Sequence, residues 1–212
     1  MKKTLLTIAV LALTVSSFAQ GTLYVGNNFF GRFRAPIYGP ELASPGTSIS
    51  GQSSLGLPSG DAVYSGPLLQ GTNFTFAVYY GPSFVIDPGQ LTLLTTTTFR
   101  TAAGDVLPAG LIYSYDVVVP GILPGETAKL QVRVWDNDGG LFNSWDRAST
   151  KEQSAMFSSL PLGGLIPGGG ILHNPEMTGW TSFGLTVAIP EPKTFVLAGL
   201  GAAALLIFRR RN

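Results

Sequence analysis

Three segments of the chain place an apolar side chain at every second position. The alternation runs through residues 72–80, 128–135 and 180–189, and in the second of them apolar Leu and Val side chains alternate with Lys, Gln and Arg. A strand that buries one face and exposes the other needs this two-residue period. The segments therefore predict half-buried antiparallel strands, and they favour an all-β fold.

Three weaker strand candidates complete the pattern, and Gly or Pro marks most of the joins. The weaker candidates are rich in Thr, Val and Tyr and cover residues 21–29, 90–100 and 111–119. Paired Gly and Pro residues stand at 81–82, 88–89, 120–121 and 124–125. Several short strands with turns at this spacing predict a single antiparallel β-sandwich domain, jelly-roll-like in type.

Three other segments depart from the strand pattern. Residues 39–70 and 161–170 are rich in Gly, Ser and Pro, so we expect loops there. Only Ser149–Leu160 hints at a helix, because Ser149 and Glu152 have the spacing of a capping box.

The first nineteen residues have the three regions of a secretory signal peptide in order. Met1-Lys2-Lys3 is positively charged, residues 4–15 are mostly apolar, and small residues precede a cleavage site after Ala19. Cleavage would leave Gln20 as the new N-terminus. The alternative is an uncleaved anchor helix. The sequence therefore predicts an exported protein that uses the Sec translocon and signal peptidase.

The last residues combine a rigid motif, an apolar run and a basic end. Pro190-Glu191-Pro192 precedes the uncharged run Phe195–Phe208, and Arg209, Arg210 and Arg211 follow it. At about 1.5 Å per residue the run spans about 21 Å, less than a hydrocarbon core of about 30 Å. Flanking Lys and Arg side chains can snorkel to the interfaces, and a basic end favours the cytoplasm. We predict a transmembrane helix over 194–208 and a basic tail over 209–212. A buried terminal helix of a soluble domain is the alternative.

This tail resembles the PEP-CTERM sorting signal of Gram-negative bacteria. Pro190, Glu191 and Pro192 match the motif, residues 195–208 match the helix, and Arg209–Arg211 match the basic cluster. The resemblance implies processing at the motif by an exosortase, a membrane protease, in hosts that make exopolysaccharide and form biofilms. It implies a transient inner-membrane anchor with a cytoplasmic C-terminus, followed by release to the cell envelope or the extracellular matrix. Whether the cut tail is replaced by another anchor or simply lost is left open.

The signal peptide and the tail divide the chain into three parts. They are a signal peptide over 1–19, a β-sandwich-like extracytoplasmic domain over 20–189, and the sorting signal over 190–212. The stretches 131–148 and 151–157 also resemble the bodies of small secreted proteins with this tail, which implies one compact β domain. The domain has roughly 170 residues, enough for a substantial core. The chain has no cysteine, so its stability must come from packing rather than disulfides.

The charge of the body differs from that of the whole chain, which is +1. Six of the 13 Lys and Arg residues lie in the two ends, and one of the 12 acids does, which leaves seven bases against eleven acids in residues 20–189. The body therefore carries −4. A mildly acidic surface argues against nucleic acid as a partner, because nucleic-acid binding needs a basic patch.

One acidic loop is the best candidate for a ligand site. The run Asp136-Asn137-Asp138-Gly139-Gly140 follows a predicted strand, and Asp146 lies within reach. Oxygen-rich loops with Gly can bind Ca²⁺, so Asp136, Asp138 and Asp146 are weak calcium candidates. A turn is the alternative, because Asn-Asp-Gly is strong turn chemistry. No other metal site and no cofactor are expected.

Catalytic chemistry is sparse in the body. The single histidine, His173, stands in a Gly, Pro and Asn segment without a catalytic serine motif nearby. Trp135, Trp145 and Trp180 could stack on sugars, although burial in the core is the commoner use of such residues. A pair of carboxylates for glycoside hydrolysis cannot be assigned from the string, because their separation depends on the fold.

Two classes of function follow from these observations. The favoured one is a non-enzymatic envelope or extracellular-matrix protein, with a structural or adhesive role and an association with exopolysaccharide. The alternative is a secreted hydrolase that acts on glycans through two of its acids. A hydrolase needs two carboxylates that face one cleft, whereas a matrix module needs none.

Overall fold

The computed structural model describes residues 20–101, 109–166 and 168–188. These residues form β-strands and three short 3-10 helices, with no α-helix among them. The strands are β1 (Gly21–Val25), β2 (Asn28–Phe29), β3 (Phe33–Arg34), β4 (Phe74–Pro82), β5 (Thr92–Thr98), β6 (Tyr115–Val119), β7 (Ala128–Asp136), β8 (Thr150–Gln153), β9 (Phe157–Ser158), β10 (Gly164–Leu165), β11 (Ile171–Leu172) and β12 (Thr186–Val187). The 3-10 helices are Pro88–Gln90, Asp138–Gly140 and Trp145–Arg147. Antiparallel all-β structure is confirmed, and the jelly-roll-like sandwich stays a prediction.

The main sheet is built around β4 and β7, which correspond to two of the three segments with strict alternation. Its order is β12-β8-β7-β4-β5, and β9 continues beside β7. β4 and β7 pair without interruption from Phe74 opposite Asp136 to Pro82 opposite Ala128. Apolar side chains of both strands point to one face and join the main hydrophobic cluster. The two-residue period therefore placed both strands correctly.

Two serines complete the edge of β7 where its partner strand is interrupted. Between β8 and β9, Ser154 donates its backbone N–H to the Val132 carbonyl (2.9 Å), and its Oγ accepts the Val132 N–H (3.0 Å). Ser159 pairs with Ala128 in the same way, at 2.9 Å for both bonds. Both serines are buried, so the hydroxyls replace main-chain partners that β7 would otherwise lack.

The helix predicted over 149–160 is wrong, because this segment supplies β8 and β9. The Ser149 carbonyl accepts the Ala188 N–H at 2.8 Å, and the Glu152 side chain accepts the adjacent Gln153 N–H at 3.0 Å. Neither residue caps a helix. The side of β7 that faces away from β4 offers a row of backbone donors and acceptors. Pairing with these groups outweighs the weak local preference for a helix that a capping-box pattern gives.

A smaller sheet pairs β1 with β6, and a buried asparagine joins it to the neighbouring loops. β1 and β6 are antiparallel, with Gly21 opposite Val119. The wholly buried Asn27 donates to the carbonyls of Ala35 (3.1 Å) and Gly110 (2.8 Å) and accepts the Ile112 N–H (2.9 Å). One side chain thus satisfies backbone groups from two distant segments.

The larger of two hydrophobic clusters among the described residues forms the main core, with Trp180 in its aromatic part. Side chains of β1, β4, β6 and β7 contribute to it. The Trp180 ring is 5% exposed. Its neighbours are four phenylalanine rings, with centroids 5.7 Å (Phe33), 6.1 Å (Phe76), 6.4 Å (Phe157) and 6.2 Å (Phe183) away. Trp180 therefore packs both sheet residues and loop residues into one core.

The two predicted loops differ in outcome. Residues 39–70 contain only isolated bridges, such as that between Ser50 and Phe183, which agrees with the prediction. In 161–170 the prediction is partly wrong, because Gly164–Leu165 forms β10 and pairs with β11. The predicted strand over 180–189 is shortened to β12, although Phe183 and Leu185 are buried as the alternation requires.

The two ends of the described body lie near opposite ends of β7. Gly21 donates to the Ile122 carbonyl at 2.7 Å, just before the start of β7. Ala188 donates to Ser149, beside the pairs that join β8 to the end of β7. The first and last described segments therefore lie near opposite ends of this strand.

Candidate functional site

The sorting signal begins directly after an edge strand. β12 pairs with β8, the Val187 N–H donates to the Pro45 carbonyl (2.8 Å), and the Ala188 N–H donates to Ser149 (2.8 Å). Pro190, Glu191 and Pro192 follow after one further residue. These three residues, the predicted helix over 194–208 and Arg209–Arg211 lie outside the described residues. No helix in the described part is long and apolar enough to cross a bilayer.

The predicted signal cleavage site falls just before the first strand. Ala19 lies outside the described residues, and Gln20 is exposed. Gly21 already belongs to β1, and a Cβ there would come within 2.5 Å of the Leu162 side chain. The body is therefore tightly packed from the second residue of the predicted mature chain.

The acidic loop after β7 forms a turn closed by its own side chains. Asp136 accepts the Asp138 N–H at 2.9 Å, and the Asn137 side chain accepts the Gly140 N–H at 3.1 Å. Asn137 also donates to the Thr72 carbonyl at 2.8 Å. Among the described residues no three His, Asp or Glu side chains form a group that could hold a metal ion. Asp136, Asp138 and Asp146 do not form such a group, and calcium binding by this loop stays a prediction.

The three tryptophans have different environments. Trp135 and Trp180 are buried, and the Trp135 indole donates to the Phe142 carbonyl at 2.9 Å. Trp145 is only half-buried and lies on the outer face of the main sheet with Ala77, Trp135 and Ala148. Only Trp145 is placed where a sugar could reach it.

Two cations lie over aromatic rings on this outer face. The Arg133 guanidinium lies 4.1 Å from the Tyr79 ring centroid and 5.1 Å from that of Trp145. The Lys151 ammonium lies 4.3 Å from the Trp145 centroid. We call Tyr79, Arg133, Trp145 and Lys151 the outer-face cluster. Attraction to the ring faces holds both cations in place.

The cations of the outer-face cluster donate to neutral oxygens rather than to carboxylates. Arg133 donates to the Gln131 side-chain oxygen at 2.9 Å and to the Pro88 carbonyl at 2.8 Å. Lys151 donates to the carbonyls of Trp145 (2.9 Å) and Asp146 (3.1 Å). In the described ranges the ion pair found is Arg32 with Glu176 at 2.6 Å. Neither Arg133 nor Lys151 therefore has its charge neutralised by a described acid.

His173 lies in a cleft that the sequence did not predict. The cleft has a volume of about 530 Å³ and includes Tyr24, Arg32, His173, Asn174 and Glu176. The Glu176 carboxylate is committed to Arg32 at 2.6 Å. The Asn174 side chain donates to the Asp116 carboxylate at 2.7 Å. No local motif links Arg32 to Glu176, so only the fold could reveal this cleft.

A second cleft, of about 380 Å³, lies beside two stacked tyrosines. The rings of Tyr38 and Tyr64 are parallel, with centroids 4.1 Å apart. The Tyr64 hydroxyl lies 2.7 Å and 2.9 Å from the carbonyl oxygens of Gly51 and Ser182. Burial raises the pKa of Tyr64 well above its usual value, and Tyr38 and Glu41 raise it further. Tyr64 therefore acts as a neutral hydrogen-bond donor that ties the 39–70 loop to the core.

Four clefts of the described region hold at most one carboxylate each. The cleft at Tyr64 contains Asp61, that at Phe84 contains Glu126, that at His173 contains Glu176, and that at Ser154 contains no acid. The pKa of the Glu41 carboxyl is lowered by its hydrogen bonds to Ser65, which opposes a role as general acid.

Comparison with protein families identifies the tail. The family model for the PEP-CTERM protein-sorting motif matches residues 188–211. The motif implies an exported protein that carries a C-terminal, membrane-anchored sorting signal and is processed by an exosortase. Comparison with curated proteins and with solved structures gives no match. The family match therefore covers the tail and not the β body.

Proposed function

We propose that this chain is an exosortase substrate whose β body has a non-enzymatic, structural or adhesive role in the cell envelope or extracellular matrix. The match of the sorting motif to residues 188–211 is the observation that carries the proposal. The matched tail follows a folded β body, and processing by the exosortase would remove that tail. The body is then the part of the chain that reaches its destination.

The order of events follows from the positions of the two signals. The Sec translocon exports the chain, and signal peptidase cuts between Ala19 and Gln20. Arg209–Arg211 keep the C-terminus in the cytoplasm, and the apolar run holds the body at the inner membrane. Two prolines keep the Pro190–Pro192 motif extended and out of a helix, so it stays open to the exosortase.

A non-enzymatic body is supported by the arrangement of its acids. Hydrolysis of glycosides uses two carboxyl groups across one scissile bond. The four clefts described above hold at most one carboxylate each, and Glu176 is already paired with Arg32. The alternative of a glycan-active hydrolase predicts that the exported protein releases sugars from glycans, and that replacement of either of two acids among the eleven of the body abolishes this release. Our proposal predicts no release of sugars by the wild-type protein.

We assign contact with an acidic exopolysaccharide to the outer-face cluster. Its two cations lack described carboxylate partners, and its aromatic rings fix their positions. Charge-assisted hydrogen bonds from Arg and Lys suit the carboxylate groups of an acidic glycan. Removal of both charges by Arg133→Ala and Lys151→Ala should weaken binding to the polysaccharide of the native host. Lys129→Ala is the matched control, because Lys129 bonds to Ser158 outside this cluster.

Variants of the tail test the sorting step separately. Glu191→Gln, or deletion of Arg209–Arg211, should leave a larger, unprocessed form in the membrane fraction of the native host. Glu126→Gln, the same chemical change in the exposed part of the body, should be processed normally. Normal processing of both tail variants would falsify the sorting role, whatever the glycan-binding result.

A further inference from the structure

β5 gives the main sheet an open edge. It pairs with β4 on one side, and no described strand pairs with it on the other. No residue of β5 is buried. An unpaired edge presents a row of backbone N–H and C=O groups to solvent, and these groups can pair with a further strand.

The composition of β5 leaves this edge unprotected. Its seven residues, Thr-Leu-Leu-Thr-Thr-Thr-Thr, contain no charge and no proline. Other edge strands in the described part are protected against pairing with a further strand. β12 has only two residues, and β6 carries the charged Asp116. Natural sheets protect exposed edges by short strands, charge, proline or β-bulges. β5 has one irregularity of the last kind, where its register with β4 shifts between Val78 and Tyr79, and none of the other devices.

The flanks of β5 carry opposite charges. Asp87 caps the short helix before the strand and is exposed, whereas Arg100 follows the strand and lies over the Tyr113 ring at 4.1 Å. An antiparallel pair of two β5 strands places the acidic flank of one beside the basic flank of the other. A parallel pair would place like charges together.

We propose that β5 pairs antiparallel with β5 of a second copy of this chain. Such an interface is isologous: the same edge serves both partners, and a two-fold axis closes the pair. It joins the two main sheets into one continuous sheet. Leu93, Thr96 and Thr98 share the outer face with Tyr79, Ala77 and Thr75, so they would line the junction on that side. The inference does not rest on the sorting role or on the glycan contact.

Single cysteines test the pairing directly, because the chain has no cysteine of its own. Leu93→Cys, Thr96→Cys and Thr98→Cys are introduced separately into the full chain, and the exported protein is oxidised. Disulfides need Cα atoms about 4.4–6.8 Å apart, so only positions near the two-fold axis can cross-link. Thr181→Cys, at an exposed position outside the strands, is the control.

We expect one or two of the β5 positions to give disulfide dimers and the Thr181 control to give none. Equal cross-linking at all four positions, or none in β5, overturns the proposal. Thr96→Lys is a second test, because it places like charges close together at the junction. It should weaken self-association in sedimentation by at least about tenfold. Thr181→Lys should leave it unchanged, and an undiminished dimer in Thr96→Lys also contradicts the pairing.

Discussion

The Asn27 side-chain oxygen accepts the Ile112 N–H at 2.9 Å in the interior of the body. The amide nitrogen of the same side chain donates to the carbonyls of Ala35 and Gly110. The side chain is completely buried, so no solvent can replace these bonds. Asn27 therefore links the segment after β1 to the segment before β6, and both segments would lose hydrogen bonds if this residue were replaced.

Asn27→Asp is therefore expected to make stability depend on pH. A carboxylate cannot donate to the two carbonyls, and burial would raise the pKa of the introduced acid. A raised pKa in the folded state means that stability is highest below the ordinary range of an Asp and falls as pH rises. Denaturation at pH 4 and pH 7 should show the larger loss at pH 7. Asn28→Asp, half-buried beside Arg34, is the control and should show no such loss.

Truncation of Trp180 should cause the largest loss of stability among the tryptophans. Its ring packs against four phenylalanines, and Trp→Ala changes in cores cost about 3–5 kcal/mol. Trp145→Ala removes a half-buried ring from the outer-face cluster and should cost less than half as much. Urea denaturation of both variants measures the difference. Equal losses would contradict the central position of Trp180.

Tyr64 should contribute to a loss of stability at alkaline pH. Burial raises its pKa above the ordinary value of 10.0, so the unfolded chain loses this proton at lower pH than the folded one. The contribution of Tyr64 is fully present below about pH 10 and declines as pH rises further. Tyr64→Phe should lower stability at neutral pH, because it removes the bond to a loop carbonyl, and should flatten the alkaline decline. Tyr113→Phe, at an exposed position, should keep the alkaline decline of the wild type.

The sequence predicted the centre of the main sheet better than its edges. β4 and β7 were found because each buries one face, so tertiary structure and local alternation agree. Ser149–Leu160 was mistaken for a helix because its partner, β7, lies outside the segment itself. Its serines stabilise the sheet through side-chain bonds that no periodicity reveals. The strand predicted over 180–189 is longer than β12 for a related reason. Phe183 and Leu185 are buried as strand residues would be, but only Thr186 and Val187 pair with β8.

The candidate sites also differ in how well the sequence alone predicts them. The sorting signal is a linear motif, so the string alone was enough to find it. The outer-face cluster contains Tyr79 of β4, Arg133 of β7, Lys151 of β8 and Trp145 of a 3-10 helix, and no spacing rule predicts that grouping. The calcium candidates illustrate the converse. Asp136, Asp138 and Asp146 are close in sequence, but the turn uses Asp136 to bind its own backbone.

The intact mass of the exported protein in its native host tests the central claim most directly. If both signals are processed, the mature chain begins at Gln20 and ends at or near Pro190–Pro192, with the apolar run and Arg209–Arg211 gone. Any replacement anchor would add a defined mass to that C-terminus. A mature protein that retains residues 195–211 would contradict the account of the chain as an exosortase substrate.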